Sequence, residues 1–227
     1  MLREWEKLPK CMRTDEIRSY YEILKKKKGS LLLKRGFDFI AAVIMFVFLL
    51  PVFIVVPILI VGDSKGGIFY RQERVTQYGR KFKILKFRTM VTEADKLGSQ
   101  VTVQNDTRIT KVGSLLRKYR LDEVPQLINI ILGDMSFVGT RPESLAYVRA
   151  YTPEMFATLL LPAGVTSEAS IRYKDEARLL EHVENADEVY IQKILPEKMK
   201  YNLESIREFS FFKEICTMIK TVLAVVR

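Results

Sequence analysis

Carboxylates and cations are the side chains of this 227-residue chain that could do chemistry, because histidine and cysteine are nearly absent. There is one histidine, His182, in a charged stretch, and two distant cysteines, Cys11 and Cys216, without Cys or His neighbours. A histidine-ligated zinc or a histidine-activated nucleophile is not expected, and neither is a disulfide framework. The densest grouping is Arg117-Lys118-Tyr119-Arg120-Leu121-Asp122-Glu123-Val124-Pro125-Gln126. Asp122 stands where it would cap a following helix, with Glu123 in the first turn and Pro125 tolerated because early amides lack helical partners. The same Asp-Glu pair, beside Arg117 and Arg120 at a helix N-terminus, is also a setting in which a carboxylate stays ionised near phosphate and metal. An ionised carboxylate can attack phosphorus to give an aspartyl-phosphate type intermediate, with a divalent cation letting anion approach anion. The residues leave both roles for Asp122 open.

Two further stretches carry cations. In Lys81 to Arg88, alternation puts Phe82, Ile84, Lys86 and Arg88 on one face and Leu85 and Phe87 on the other. Either a bulge lies near Ile84-Leu85 or two cations project inward at the strand end, where anions such as phosphate would partner them. An ordinary lysine-bearing edge strand is the alternative. The stretch Gly133 to Glu143 is a glycine-bounded loop in which Pro142 restricts Arg141 to an extended geometry. A fixed arginine suits bidentate phosphate binding.

The elements that must position these groups follow from hydrophobic spacing. Ile17, Tyr20, Tyr21 and Leu24 predict a surface helix within residues 1–28. Ile68 to Gln72, a turn at Thr76 to Gly79, and Lys81 to Arg88 predict a small hairpin. Glu123 to Leu132 reads as a helix stopped by Gly133. Further helices are expected at Glu143 to Tyr151, Asp175 to His182, and Ala186 to Ile206 with an interruption at Pro196. Phe209 to Val226 suits either a helix in a membrane interface or a core helix.

Phe39 to Val61 is an uncharged apolar run longer than the roughly 20 residues of a spanning helix, so the chain meets a bilayer. It lies too far from Met1, and is too long, for a signal peptide. Pro51 and Pro57 break it into two helical pieces near Leu50-Pro51. The first, Phe39 to Leu50, is roughly 18 Å long against a core of roughly 30 Å. Lysines and arginines flank both ends, which a single crossing cannot keep on one side, so a re-entrant hairpin is expected in place of a kinked spanning helix.

With 48% hydrophobic residues, a net charge of +10 and a sequence pI near 9.5, the chain has a core and an anion-attracting surface, and a reducing compartment is the default. The expected fold class is α/β, a small membrane-associated domain with a re-entrant helical hairpin, a short β-hairpin and several amphipathic interfacial helices. Its expected parts are a surface helix region (1–30), the re-entrant helix (31–62) and a catalytic, interfacial region (63–227).

Several motifs in order carry a resemblance: Lys34-Arg35-x-Phe37-Asp38, the proline-broken run, Lys86-Phe87-Arg88-Thr89-Met90, Leu121-Asp122-Glu123-Val124-Pro125-Gln126-Leu127, and Gly133-Asp134-Met135-Ser136-Phe137-Val138-Gly139-x-Arg141-Pro142-Glu143. From about Leu33 onward the chain resembles the bacterial sugar transferases, the monotopic phosphoglycosyl transferases that start glycan assembly on a polyprenyl phosphate. The resemblance implies that Asp122 attacks the β-phosphate of a UDP-sugar, UMP leaves, and undecaprenyl phosphate takes the phosphosugar. It implies that Glu123 completes a dyad, that Mg²⁺ sits beside Asp122, and that Arg141 holds phosphate, with Lys86, Arg88, Arg117 and Arg120 as weaker substrate-binding residues. It implies the cytoplasmic leaflet of the bacterial inner membrane, with downstream glycosyltransferases as further partners and no nucleic acid. Three places depart from the family pattern: Leu50-Pro51 replaces Ser-Pro, Thr140 replaces a frequent proline, and Ala163 to Glu168 replaces Pro-Gly-Ile-Thr-Gly-Trp. Nothing before Leu31 resembles the four additional spanning helices of larger relatives, so the minimal single-domain form is expected. The rival reading is a membrane-tethered basic binding protein without catalysis.

Overall fold

The computed structural model describes residues 2–92, 94, 106–174, 176 and 185–226. The helix expected from Asp175 to His182 lies outside the described residues, apart from Glu176.

The chain opens on α1 (Asp15–Lys26), whose Ile17, Tyr20, Tyr21 and Leu24 share one stripe by their i, i+3, i+4 spacing. That stripe is buried in the largest core cluster against Met155, Leu159, Leu160 and Ile206, so the start of the chain packs on its later half. Next come α2 (Lys28–Phe48) and α3 (Leu50–Asp63). The expected break near Leu50-Pro51 falls at Leu49, and the arms form an open wedge whose directions differ by 59°. No single helix among the described residues is long and apolar enough to cross a membrane, but this bent pair passes that test together. Helix α2 begins well before the apolar run because Lys34 and Asp38, one turn apart, point inward and are satisfied there. Lys34 Nζ donates to Val138 O at 2.9 Å and pairs with Glu214, while Asp38 accepts from Ser136 Oγ at 2.8 Å.

Strands β1 (Phe69–Val75) and β2 (Lys81–Phe87) form the expected antiparallel hairpin. Their register runs unbroken from Phe69 opposite Phe87 to Val75 opposite Lys81. The ladder therefore passes straight through Ile84 and Leu85, and the bulge alternative falls away. The free edge of β2 is sealed by Asn129, whose Oδ1 accepts from Leu85 N at 3.0 Å and whose Nδ2 donates to Lys83 O at 3.0 Å. Asn129 belongs to α5 (Gln126–Leu132), which follows α4 (Lys111–Lys118) and ends at Gly133 with φ 84°. Arg35 from α2 donates to the last carbonyls of α5, Ile130 O at 2.7 Å and Ile131 O at 3.0 Å, as a cation at a helix C-terminus should.

Strand β3 (Met135–Val138) pairs in parallel with β4 (Ala163–Thr166) across α6 (Leu145–Val148), and α7 (Glu168–Arg172) follows β4. The expected helix over Glu143 to Tyr151 is thus only one turn, capped by Ser144. The expected helix over Ala186 to Ile206 is α8 (Ala186–Val189), a π-helical turn Tyr190–Ile194, and α9 (Leu195–Arg207), with Pro196 accepted in a first turn. The chain closes on α10 (Phe211–Val226), which buries Thr217 and leaves Phe212, Ile219, Val222 and Leu223 exposed. Of the interface and core alternatives, that exposed apolar stripe argues against a core helix.

Two backbone segments approach closely where β3 runs out beside β4. A Cβ on Gly164 would lie 2.1 Å from Gly139 N and 2.3 Å from its carbonyl oxygen, a contact that only glycine permits. Gly164→Ala should cost about 1–3 kcal/mol by overpacking and lower the thermal midpoint by several degrees in detergent. An unchanged midpoint would show that the two segments have room to part.

Candidate functional site

Helix α4 delivers its cations through one close contact. A Cβ at Gly113 would meet Thr89 O at 2.0 Å, so glycine lets the helix lie on the backbone just past β2. Arg117, one turn on, donates from Nε to Thr89 Oγ1 at 2.9 Å. The chain then turns sharply at Arg120, which adopts left-handed φ 56°, a conformation that costs a non-glycine residue about 1–2 kcal/mol. A short 3₁₀ turn, Leu121–Glu123, follows at once.

That turn settles the capping alternative for Asp122. Of the amides that a cap at Asp122 could take, Val124 N is already bonded to Leu121 O, and Pro125 has no amide hydrogen. Asp122 therefore caps no helix: neither the 3₁₀ turn nor α5 has a side-chain cap at its start. Asp122 is 8% exposed, and its Oδ1 is buried without a hydrogen-bond partner among the described residues. Burial, reinforced by the negative charge of Glu123, pushes the Asp122 carboxyl above its usual range, while Lys86, Arg117 and Arg120 pull it back.

Glu123 is held the opposite way. Burial would raise it, but Lys86 and Arg141 outweigh that and bring its carboxyl down to about 2. Lys86 Nζ bonds Glu123 Oε1 at 2.7 Å and Arg141 Nη2 approaches the same oxygen at 3.7 Å. Glu123 in turn raises the Arg141 guanidinium. The two adjacent carboxylates are thus split: Glu123 stays ionised, and Asp122 titrates later.

Lys86, Arg117, Arg120, Asp122, Glu123 and Arg141 come together as the sequence suggests. Arg88 does not join them. Its guanidinium donates to Ser64 O at 2.7 Å and to Lys65 O, tying the exit of α3 to the hairpin. The inverted alternation in β2 resolves accordingly, since Lys86 turns toward Glu123 while Phe87 packs with Val56, Ile60 and Leu116.

Arg120, Glu123 and Arg141 open onto a cleft of about 570 Å³. Its polar wall adds Gln126, Lys198, Tyr173 and Glu176, and its apolar wall runs through Phe137 and Ile130 to Met45 and Leu49 at the bend of the wedge. The cleft therefore joins a cationic, carboxylate-bearing end to the apolar wedge. Lys198 was not singled out from the sequence, although a lysine on the buried stripe of α9 with Leu195, Met199 and Asn202 is a readable signal. Among the described residues no group of three or more His, Cys, Asp or Glu side chains could hold a metal alone. The unpartnered Oδ1 of Asp122 does fit Mg²⁺ of the kind bound by one carboxylate and substrate phosphates.

Lys86→Met should let Glu123 rise from about 2 toward the ordinary carboxylate range, read by carbon-13 titration of labelled protein. A Glu123 carboxyl unmoved by that change would mean that Arg141 alone holds it.

Comparison with known proteins matches residues 29–227 to the bacterial sugar transferase family. The chain is 32% identical over 194 residues to the UDP-N-acetylgalactosamine-undecaprenyl-phosphate N-acetylgalactosaminephosphotransferase of Aeromonas hydrophila, covering 84% of this chain and 43% of that protein. It is 35% identical over 196 residues to the UDP-glucose:undecaprenyl-phosphate glucose-1-phosphate transferase of Escherichia coli K12, covering 84% and 39%. It is also 35% identical over 159 residues to a protein of Bacillus subtilis named as a putative undecaprenyl-phosphate N-acetylgalactosaminyl 1-phosphate transferase, covering 70% and 87%. The chain thus spans about two fifths of the first two relatives and most of the third.

Proposed function

The chain belongs to the bacterial sugar transferase family, and on that premise we propose that it moves a sugar 1-phosphate from a UDP-sugar to undecaprenyl phosphate, in glycan or exopolysaccharide synthesis. The observation that carries the reading is the cleft that joins Glu123, Arg120 and Arg141 to Met45 and Leu49 of the wedge. A reaction between a charged nucleotide donor and a lipid phosphate needs a site of that mixed character.

In this reading an Asp122 carboxylate oxygen attacks the β-phosphorus of the donor. The bond from that phosphorus to the oxygen bridging the α-phosphate breaks, and UMP leaves with the electron pair. A phosphate oxygen of undecaprenyl phosphate then attacks the same phosphorus, releasing the Asp122 carboxylate and forming the diphosphate-linked sugar. Arg141 and Arg120 face the incoming phosphates, and a guanidinium fork suits their oxygens. Glu123, kept ionised by Lys86 and Arg141, fixes those two cations beside the reacting centre. Mg²⁺ held at Asp122 and donor oxygens would offset the charge of the diphosphate.

How the wedge is pinned supports the membrane contact in this reading. Arg35 on α2 grips α5, while at the far end Asp63 accepts from Val112 N at 2.9 Å and Arg88 holds the carbonyls after α3. Both ends of the wedge are thus tied to one body, which agrees with a re-entrant element in the cytoplasmic leaflet of the inner membrane. If the arms are equally inclined, half of the 59° bend sets each at about 30° to the membrane plane. Ten apolar residues per arm then reach about 8 Å deep at 1.5 Å of rise each. The exposed stripe of α10 would lie in the same interface.

The direct test is UMP release from a panel of UDP-sugars with Mg²⁺ and undecaprenyl phosphate, beside Asp122→Asn. Release by the unmodified protein and its loss, by at least a hundredfold, in Asp122→Asn is expected; full turnover in that variant would remove Asp122 as the nucleophile, and no release by the unmodified protein with any donor would leave a membrane-tethered binding protein as the reading. Because the Asp122 carboxyl is raised and must ionise to attack, the rate should fall on the acid side. Glu123→Gln removes one cause of that rise, so the acid limb of its residual activity should move to lower pH; a shift to higher pH would contradict the coupling. Topology has native probes in Cys11 and Cys216, both exposed and on opposite sides of the wedge in sequence. An impermeant maleimide should modify both from the cytoplasmic face, and labelling one from each face would refute the re-entrant arrangement.

A further inference from the structure

Lysine is rarely buried without a partner, since removing an ammonium from water costs several kcal/mol. Lys198 on α9 is nonetheless 4% exposed. Its Nζ donates to Glu176 Oε2 at 2.7 Å and to Tyr190 Oη at 3.0 Å, and lies 5.0 Å from the centre of the Tyr190 ring. Tyr190 Oη donates in turn to Glu143 Oε1 at 2.6 Å. Glu143 is buried, and its carbonyl accepts from Val75 N at 3.0 Å, so both its side chain and its backbone are fixed.

The relay ends two residues past Arg141, in the stretch 140–144 that lies in neither helix nor strand. Arg141 itself is half-exposed, and its contact with Glu123 is long at 3.7 Å. Its aim therefore depends on what holds the segment around it. Tyr190 also opens the π-helical turn between α8 and α9, a rare distortion that recurs at functional sites. Burial and the Glu143 charge raise the Tyr190 hydroxyl well above its ordinary range, so it stays protonated and able to donate.

We propose that Tyr190 and Lys198 are positioning residues that aim Arg141 at donor phosphate by anchoring Glu143. The inference rests on the reading of the cleft as the donor site. A core that needed only filling would be served as well by apolar side chains, without desolvating a lysine, a tyrosine hydroxyl and a glutamate together. These groups act through Arg141 and need not touch the reacting atoms.

Tyr190→Phe removes the hydroxyl shared by both hydrogen bonds and keeps the ring, while Lys198→Met removes the ammonium and keeps the length. UDP is the probe, titrated against full-length protein in lipid nanodiscs, with UMP release measured in parallel. Tyr190→Phe is expected to weaken UDP binding about tenfold, the scale of one lost buried hydrogen bond. It should raise KM for the UDP-sugar by a similar factor and change kcat by less than about threefold. In an Arg141→Ala background the same substitution should change UDP affinity by less than twofold, and Lys198→Met should follow the same pattern more weakly. Losses that multiply with Arg141→Ala, or a folded Tyr190→Phe that binds UDP as the unmodified protein does, would overturn the proposal. Coupled UDP binding in a protein that releases no UMP would remove the transferase reading and leave the positioning of Arg141 standing.

Discussion

One carboxylate, Glu123, holds together three segments that are far apart in sequence. Lys86 reaches it from β2, Arg141 from the stretch after β3, and Glu123 itself comes from the turn before α5. Two adjacent carboxylates in a buried turn would repel each other and lose water, so the site can form only where cations converge on one of them. The convergence on Glu123 leaves Asp122 enclosed, unbonded at Oδ1 and raised in pKa. The fold satisfies its neighbour and leaves this carboxylate oxygen without a partner among the described residues.

That arrangement depends in turn on backbone contacts that side chains larger than hydrogen would prevent. Gly113 lets α4 lie on Thr89 and present Arg117, and Gly164 lets β4 close on Gly139 just ahead of Arg141. Asn129 joins α5 to the edge of β2, so Lys86 and Glu123 ride on elements fixed to each other. The wedge is coupled to the same body at both ends, by Arg35 on α5 and by Arg88 and Asp63 beyond α3. Its bend at Leu49 forms the apolar end of the cleft. Buried Lys34, bonded to Val138 O and paired with Glu214, links α2 to β3 and α10.

Much of this was legible in the sequence where the signal is local. The stripe of α1, the hairpin, the stop at Gly133 and the break near Pro51 follow from spacing and from the backbone limits of glycine and proline. The grouping of cations around Asp122 and Glu123 was legible too, because residues of one sign beside a buried carboxylate need a common site. Arg88 misled, since its alternation matches that of Lys86, yet its guanidinium serves the carbonyls after α3. Asp122 as a cap was also misleading: capping sequence was present, but Val124 N is taken by Leu121 O of the 3₁₀ turn and Pro125 offers no amide hydrogen.

By itself the sequence determined which residues could do chemistry, that an apolar run is broken by proline, and where the chain must turn. Those properties depend on residue type and on neighbours a few positions away. Only the tertiary structure decided that the Glu123 carboxyl is lowered and that of Asp122 raised, that Arg88 is structural, that α2 begins at Lys28, and that Tyr190 meets both Lys198 and Glu143. Each of these turns on which distant group supplies a hydrogen bond or a countercharge to a side chain removed from water, and spacing along the chain carries no record of that partner.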